Sequence, residues 1–476
     1  MRKPEKSSCP QCRSLAAELA TLKAELASLK AEIARLREQL AKANKDSSTS
    51  SKPPSSDLVK PMPPDTADGN KRKIGGQPGH PLHAREPFLP EQITSFHVHP
   101  LDACPDCGGR VFRNGTFAKV VQQMDIQAVP VTIEQHTCPE YWCERCRKAC
   151  KAPLPLPIER GGLVGPNLTA LIAFMKGVCH ASFSTIRKFL RDVVGVQIER
   201  STLCKIINKV SQALEGTYEE LLVLLPSEDV LNIDETGHKE NGRLLWTWCL
   251  RADLYTLYKI DARRSADVLL ELLGDDFEGV IGCDYFSAYR RYMRMVGLEV
   301  QFCLAHLIRD VKFLTTLPDA RDRAYGEGLR AALKNLFAVI HRREQLSAAA
   351  FAEQLQEARA WVLYRGQNDV PPTQHAQNMA KRFRDHGEAY FTFVTTPEIE
   401  PTNNLAEQAI RFVVIDRLIT QGTRSEAGRQ WCERIWTVMA SCAQQSRSSY
   451  VFLQEAIVRW FHGGDAPSLL PEIARA

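Results

Sequence analysis

No apolar run in the 476-residue sequence approaches the length needed to cross a membrane. The opening stretch from Met1 to Lys6 carries charge with no apolar core behind it, so no secretory signal is read there and a soluble, cytoplasmic chain is expected. A dominant charge is lacking as well. Lys and Arg number 61 against 56 Asp and Glu, a balance of +5, so a surface for a polyanion must come from local clustering. The length excludes one ordinary core and predicts several domains. Cysteine, by contrast, is plentiful. There are fifteen, several in Cys-x-x-Cys pairs, and in a reducing compartment such pairs point to zinc rather than disulfides.

From Leu15 the residues Leu19, Leu22, Leu26, Leu29, Ile33, Leu36 and Leu40 follow at alternating spacings of four and three. This is an a/d heptad seam, with Ala, Glu, Lys and Arg filling most other positions, and it predicts a self-associating coiled coil over 13–43. A single amphipathic helix packed on its own domain explains the narrow stripe less well. Residues 44–95 form a linker rich in Ser, Pro, Lys and Gly, whose basic second half can follow a phosphate backbone or simply be solvated. In 96–152, Cys104 and Cys107 are answered by Cys143 and Cys146, four thiolates for a closed structural zinc site in a β-rich ribbon. Cys138 and Cys150 are alternative ligands, and Cys9 and Cys12 stay unassigned.

Residues 160–225 turn helical. A helical period over Phe183–Val194, a break at Gly195-Val196 and a second helix capped by Ser201 outline a helix-turn-helix decorated by Arg187, Lys188, Arg191, Arg200, Lys205 and Lys209. A helical hairpin with a solvated basic face satisfies the same pattern.

After Pro226 the run Val230–Ile233 reads as a buried strand with Asp234 at its tip, and two antiparallel neighbours follow at Leu244–Leu250 and Leu254–Ile260. A helix from about Ser265 to Leu273 and a fourth strand ending at Asp284 complete the opening of a ribonuclease H-like fold. In that fold the first and fourth strands are neighbours, so Asp234 and Asp284 should face each other and require a cation, Mg²⁺ being the natural one. Glu299–Phe302 is a candidate fifth strand, and Cys303 and His306 at the next helix start are assigned supporting roles. The charged stretch 310–395 reads as a helical insertion, with Trp361 expected in a core rather than on a nucleic-acid base. Then Asn404, Glu407 and Arg411 share one helical face, behind a cap from Thr402 or Asn403. Glu407 is the third carboxylate that such a site requires to hold two Mg²⁺ ions, with Asn404 and Arg411 orienting it or holding phosphate.

The heptad seam, Ser-Ser-Lys-Pro-Pro-Ser-Ser-Asp57, Gly75-Gly-Gln-Pro-Gly-His80, the paired Cys-x-x-Cys motifs, Asp234-Glu-Thr236, Asp284-Tyr-Phe-Ser-Ala-Tyr289, Cys303-Leu-Ala-His306 and Asn403-Asn-Leu-Ala-Glu407 together resemble the insertion sequence 66 family of bacterial transposases. The resemblance runs over nearly the whole chain. It implies an α/β ribonuclease H-like core over 226–415 with a helical insertion, preceded by the coiled coil, zinc-ribbon domain and helical DNA-binding region, and followed by a C-terminal helical domain over 416–476. It further implies Asp234, Asp284 and Glu407 as the catalytic triad, two catalytic Mg²⁺ ions, a structural Zn²⁺, and double-stranded DNA as partner. Such a DNA transposase cuts element ends and joins them to target DNA, as a homodimer or higher oligomer, with accessory proteins of the same element as further partners. Thr402 departs from the aspartate usual before the Asn-Asn pair, which bears on the cap and on the role of Asn403. Two other readings fit parts of the chain: a zinc-bearing coiled-coil DNA-binding regulator without catalysis, and a nuclease that cuts without strand transfer.

Overall fold

The computed structural model describes residues 10–45, 153–396 and 399–471, and between them the short stretches 87–93, 95–96, 106–110, 112, 122, 131–138, 140–143, 145 and 147–151. The chain divides into two compact units, one of Met1–Pro61, His136–Arg191 and Gln197–Ala476, the other of Met62–Gln135 and Asp192–Val196. In the second unit a 3-10 turn at Pro90–Gln92 lies beside a two-way bond between Phe88 and Gln122, at 2.6 and 3.0 Å.

The first unit opens with helix α1, Pro10–Ala43, on which all eight residues of the heptad seam are exposed. Strands β1 (Glu140–Cys143) and β2 (Lys148–Lys151) form an antiparallel pair. Cys104 and Cys146, the side chain of Cys143 and most of the 44–95 linker lie outside the described residues, while Cys107 is exposed.

Helices α2 (Leu156–Gly161), α3 (Pro166–Gly177), α4 (Phe183–Phe189), α5 (Arg200–Ala213) and α6 (Glu215–Leu224) follow. Ser182 caps α4 by accepting from the Thr185 N–H at 3.0 Å, and five π-helical residues, Leu190–Val194, succeed it. The expected cap at Ser201 is not used. Helix α5 starts two residues earlier than that cap implies, with Glu199 in the cap position and no side-chain cap bond. Lys209, expected on a basic face, turns inward and donates to the carbonyls of Arg160 (2.7 Å) and Gly161 (3.0 Å), satisfying acceptors that the end of α2 leaves open. Lys188, Arg191, Arg200 and Lys205 remain exposed.

The sheet has five strands: β3 (Val230–Glu240), β4 (Arg243–Arg251), β5 (Thr256–Asp261), β6 (Val280–Cys283) and β7 (Val300–Phe302), ordered β5-β4-β3-β6-β7. The first three form an antiparallel meander, and β6 and β7 add in parallel beside β3. Helix α7 (Ala266–Leu273) makes the crossover and packs with α8 (Ser287–Val296). Asp234 is not at a strand tip. Strand β3 runs six residues beyond it to a two-residue hairpin at Asn241-Gly242, both at positive φ (49° and 80°), the backbone that a type I′ turn requires.

Helix α9 (Leu304–Leu314) leads into α10 (Ala320–Ile340), α11 (Ala348–Gln367) and α12 (Gln374–His386), which pack on one another in the expected insertion. Trp361 is half-exposed rather than in a core, stacked on Tyr364 with centroids 5.6 Å apart. Helix α13 (Asn404–Thr420) then runs along β3, so the domain boundary drawn at 415/416 falls inside a helix.

Helices α14 (Glu426–Gln444) and α15 (Ser449–Phe461) close the unit. Helix α14 covers the open edge of the sheet with side chains instead of a sixth strand. The outward N–H groups of Ile260, Tyr258 and Thr256 donate to Glu433 Oε1 (2.7 Å), Thr437 Oγ1 (3.1 Å) and Ser441 Oγ (3.1 Å). Four helical residues rise about 6 Å and two strand residues about 6.8 Å, so acceptors at every fourth helical position meet alternate strand donors. The edge is thereby closed to other strands. Replacing Thr437 with the isosteric Val strands the Tyr258 N–H without an acceptor and is expected to destabilise the fold by about 1–3 kcal/mol in chemical denaturation; an unchanged unfolding midpoint would show that the contact contributes nothing.

Candidate active site

The parallel pairing of β3 and β6 matches Val230 with Val280, Leu231 with Ile281 and Asn232 with Gly282. Asp234 and Asp284 each lie two residues past the last pair, so both carboxylates leave the ladder in the same register and on the same face. Gly282, two residues before Asp284, leaves little room for a side chain. A Cβ there would lie 2.6 Å from Oδ1 of the buried Asn232. That face receives α13, which carries Glu407 in its first turn.

Each carboxylate is held above its ordinary pKa. Burial pushes Asp234 well up, and the charges of Glu235, Asp284 and Glu407 push it further; its counterweight is the Glu235 N–H donated to Oδ1 at 2.9 Å. Asp284 is pushed up to about 7 by burial and then by Glu235, against the Phe286 N–H (2.8 Å) and the fields of Arg264 and Arg382. Burial raises Glu407 too, while Arg309 and Arg411 pull it down. The donors on this face are hard carboxylate oxygens, crowded and repelling one another, and Glu407 Oε1 is buried without a hydrogen-bond partner. Such a donor set fits an oxygen-coordinated divalent cation, which would relieve the repulsion.

Glu235 is treated differently. It points to the opposite face, where Arg264 donates to Oε1 at 3.0 and 2.7 Å and the Tyr289 hydroxyl donates to Oε2. Arg264 is in turn sandwiched by Trp246 (4.3 Å) and Phe286 (4.1 Å). Both its oxygens are bonded, so it serves the fold beneath the site while its charge still acts on Asp234 and Asp284.

Helices α9 and α13 bring their N-termini together beside the carboxylates. Asn403 occupies the cap position of α13 but makes no side-chain cap; its amide instead donates to the Ile233 carbonyl on β3 at 2.7 Å, and its own N–H donates to Cys303 Sγ at 3.2 Å. His306 Nδ1 and Arg309 Nη2 each lie 3.5 Å from Glu407 Oε1. Burial, reinforced by Arg309 and Arg382, lowers the His306 pKa to about 3, so the ring is neutral. Arg411 is exposed and close enough to influence Glu407, while Asn404 is exposed at the helix start.

Arg264 and Arg382 were not singled out from the sequence. Arg382 comes from the insertion: it pairs with Asp310 at 2.8 Å, donates to the Tyr390 hydroxyl, and lies 3.9 Å over the ring of Tyr285, the residue after Asp284. A lone arginine in a charged helix carries no sequence signal for such a contact.

Fold and site thus define an α/β protein with a carboxylate-centred site on a mixed five-stranded sheet. A family model described as the transposase IS66 family matches residues 161–430, more than half of the chain, and the protein belongs to that family. A second model, a family of unknown function (DUF6444), matches residues 1–86. A Sinorhizobium fredii (strain NBRC 101917 / NGR234) protein bearing the name "Uncharacterized protein y4hP" is 22% identical over 422 residues, covering 79% of this chain and 74% of that protein. Among the described residues no helix is long and apolar enough to cross a membrane.

Because the folded pKa of Asp284 is raised, the native state binds more protons than the unfolded chain between roughly pH 4 and 7, and stability falls as pH rises through that window. In magnesium-free buffer Asp284→Asn is therefore expected to melt a few degrees above the wild type at pH 8 and close to it at pH 4. Equal melting temperatures at pH 8 would contradict a destabilising carboxylate at this position.

Proposed function

We propose that the chain is the transposase of a bacterial insertion sequence, binding the element's ends in double-stranded DNA and catalysing Mg²⁺-dependent cleavage and strand transfer on a ribonuclease H-like core. The observation that carries this reading is the shared register of Asp234 and Asp284, joined on the same face by the helix bearing Glu407. Asp234, Asp284 and Glu407 would hold two Mg²⁺ ions. Bound there, the ions supply Lewis-acid stabilisation of charge on the attacking and leaving oxygens of a phosphodiester.

The protein's own groups set the conditions for that chemistry. Asn403 fixes the start of α13 against β3, and with it the reach of Glu407. His306 is neutral and adds no positive charge beside Glu407, while Arg309 faces it at 3.5 Å and pulls its pKa down against the larger upward push of burial. The exposed Asn404, at the start of α13, and Arg411, two turns further along it, are suited to phosphate oxygens of the DNA. The exposed Lys188, Arg191, Arg200 and Lys205 support a DNA-facing role for the helical region. Cys104, Cys107, Cys143 and Cys146 would hold a structural Zn²⁺ in the front half, and the uncovered seam of α1 supports a homodimer or higher oligomer.

Labelled DNA carrying the element's ends tests the chemistry. With Mg²⁺ the wild type is expected to give cleaved and joined products. Glu407→Gln is expected to lose activity by a factor on the order of 10²–10³ or more while retaining DNA binding. Cleavage without joining would favour the nuclease reading, and full activity of Glu407→Gln would remove Glu407 from the triad.

The seam has its own test. Leu22 and Leu29 are each 62% exposed, and placing Asp at both positions is expected to convert an oligomer to a monomer in light scattering. An unchanged mass would place self-association elsewhere.

A further inference from the structure

The N-termini of α9 and α13 enclose a second group of ligand-type atoms. Cys303 Sγ, an imidazole nitrogen of His306 and a carboxylate oxygen of Glu407 all lie within 4.8 Å of one another, the only such group of three among the described residues. Cys303 is 1% exposed and His306 7%. His306 Nδ1 and Glu407 Oε1 are both buried, both without a hydrogen-bond partner, and 3.5 Å apart. Buried polar atoms are ordinarily paired, so two orphaned atoms converging beside a thiol call for a shared partner.

We propose that Cys303, His306 and Glu407 form a binding site for a zinc-class divalent cation, and that its occupation withdraws Glu407 from Asp234 and Asp284 and so inhibits the enzyme. One sulfur, one nitrogen and one oxygen ligand select a borderline-soft ion over magnesium, and three protein ligands leave a fourth tetrahedral position for water. Entry of the ion displaces the thiol proton of Cys303 to solvent. The Asn403 N–H on Cys303 Sγ, at 3.2 Å, stabilises the resulting thiolate. Two guanidinium groups oppose binding. Arg382 is neutralised by Asp310 at 2.8 Å, and the partly exposed Arg309 side chain can turn outward to solvent. The opposition makes this site weaker than a closed four-ligand one, as suits a reversible inhibitor.

The binding half of the proposal stands on these three side chains alone; the inhibitory half rests on the assignment of Glu407 above. The test is a Co²⁺ titration of the full chain, following the thiolate-to-cobalt charge-transfer band, together with zinc content after dialysis. Since the paired cysteines of the front half are themselves proposed to hold zinc, the readout is the difference between wild type and Cys303→Ser. One equivalent less per chain and a weaker charge-transfer band are expected. His306→Gln serves the same comparison should Cys303→Ser fail to fold by circular dichroism. In the DNA assay at constant Mg²⁺, added Zn²⁺ is expected to inhibit the wild type. The inhibitory concentration should rise more than about tenfold in Cys303→Ser relative to that variant's own zinc-free rate, because loss of even an outer partner of a metal ligand costs roughly 10–100-fold in affinity. Identical metal content and cobalt spectra in wild type and variants would overturn the site. Loss of one equivalent without zinc inhibition would keep the site and overturn its coupling to Glu407. Absence of Mg²⁺-dependent activity in the wild type would instead strike the transposase reading and leave the metal count to stand.

Discussion

The attachment of α13 to β3 is the constraint on which the site depends. At the start of the helix the Asn403 amide holds the Ile233 carbonyl, one residue before Asp234. Further along, Arg417 donates to Thr236 Oγ1 at 2.7 Å and to the Gly237 carbonyl. Beyond its end, the Thr423 N–H reaches the Lys239 carbonyl at 2.8 Å, and Gly422 permits the approach, since a Cβ there would lie 2.1 Å from that oxygen. Three attachments along one strand fix both the rotation and the height of the helix. Glu407, one turn in from Asn403, inherits that placement. The long extension of β3 past Asp234 supplies the strand residues for the later attachments.

Adjacent acidic residues on β3 show how a strand separates structural from reactive charge. Glu235 points to a face where an arginine and a tyrosine bond both its oxygens. Asp234 points to the other face, among carboxylates that raise its pKa. The alternation of side chains in a strand makes the difference, and the matched charge of Glu235 still presses on both aspartates. The site is therefore built under electrostatic stress that the neighbouring Arg264, Arg309, Arg382 and Arg411 only partly relieve, and it is suited to a cation.

Much of this arrangement was legible in the sequence. Apolar runs and their spacing indicate the three-strand meander, the helix after it and two further strands, and the likeness of that order to the opening of a ribonuclease H-like fold is what sets Asp234 beside Asp284. The length of β3 was misread because Thr236 to Glu240 is polar, although Asn241-Gly242 is itself a hairpin signal. The cap of α5 differs from expectation because Ser201 is the better capping residue by type, yet the cap position falls two residues earlier, at Glu199. Lys209 and Trp361 went the other way from expectation: a lysine drawn inward by open carbonyls, a tryptophan left half-exposed on the insertion. Arg264 and Arg382 were invisible for a different reason. Their partners lie far away in the chain, and only the completed fold brings them together.

The use of α14 as the cover for the β5 edge has a consequence for how the protein is made. Synthesis proceeds from the N-terminus, so the five strands emerge well before Glu433, Thr437 and Ser441 exist to occupy the outward N–H groups of β5. Through that interval the nascent sheet carries a bare edge, open to pairing with a neighbouring chain. An element whose coding sequence is cut short after the last strand would encode a sheet that sticks to its own kind.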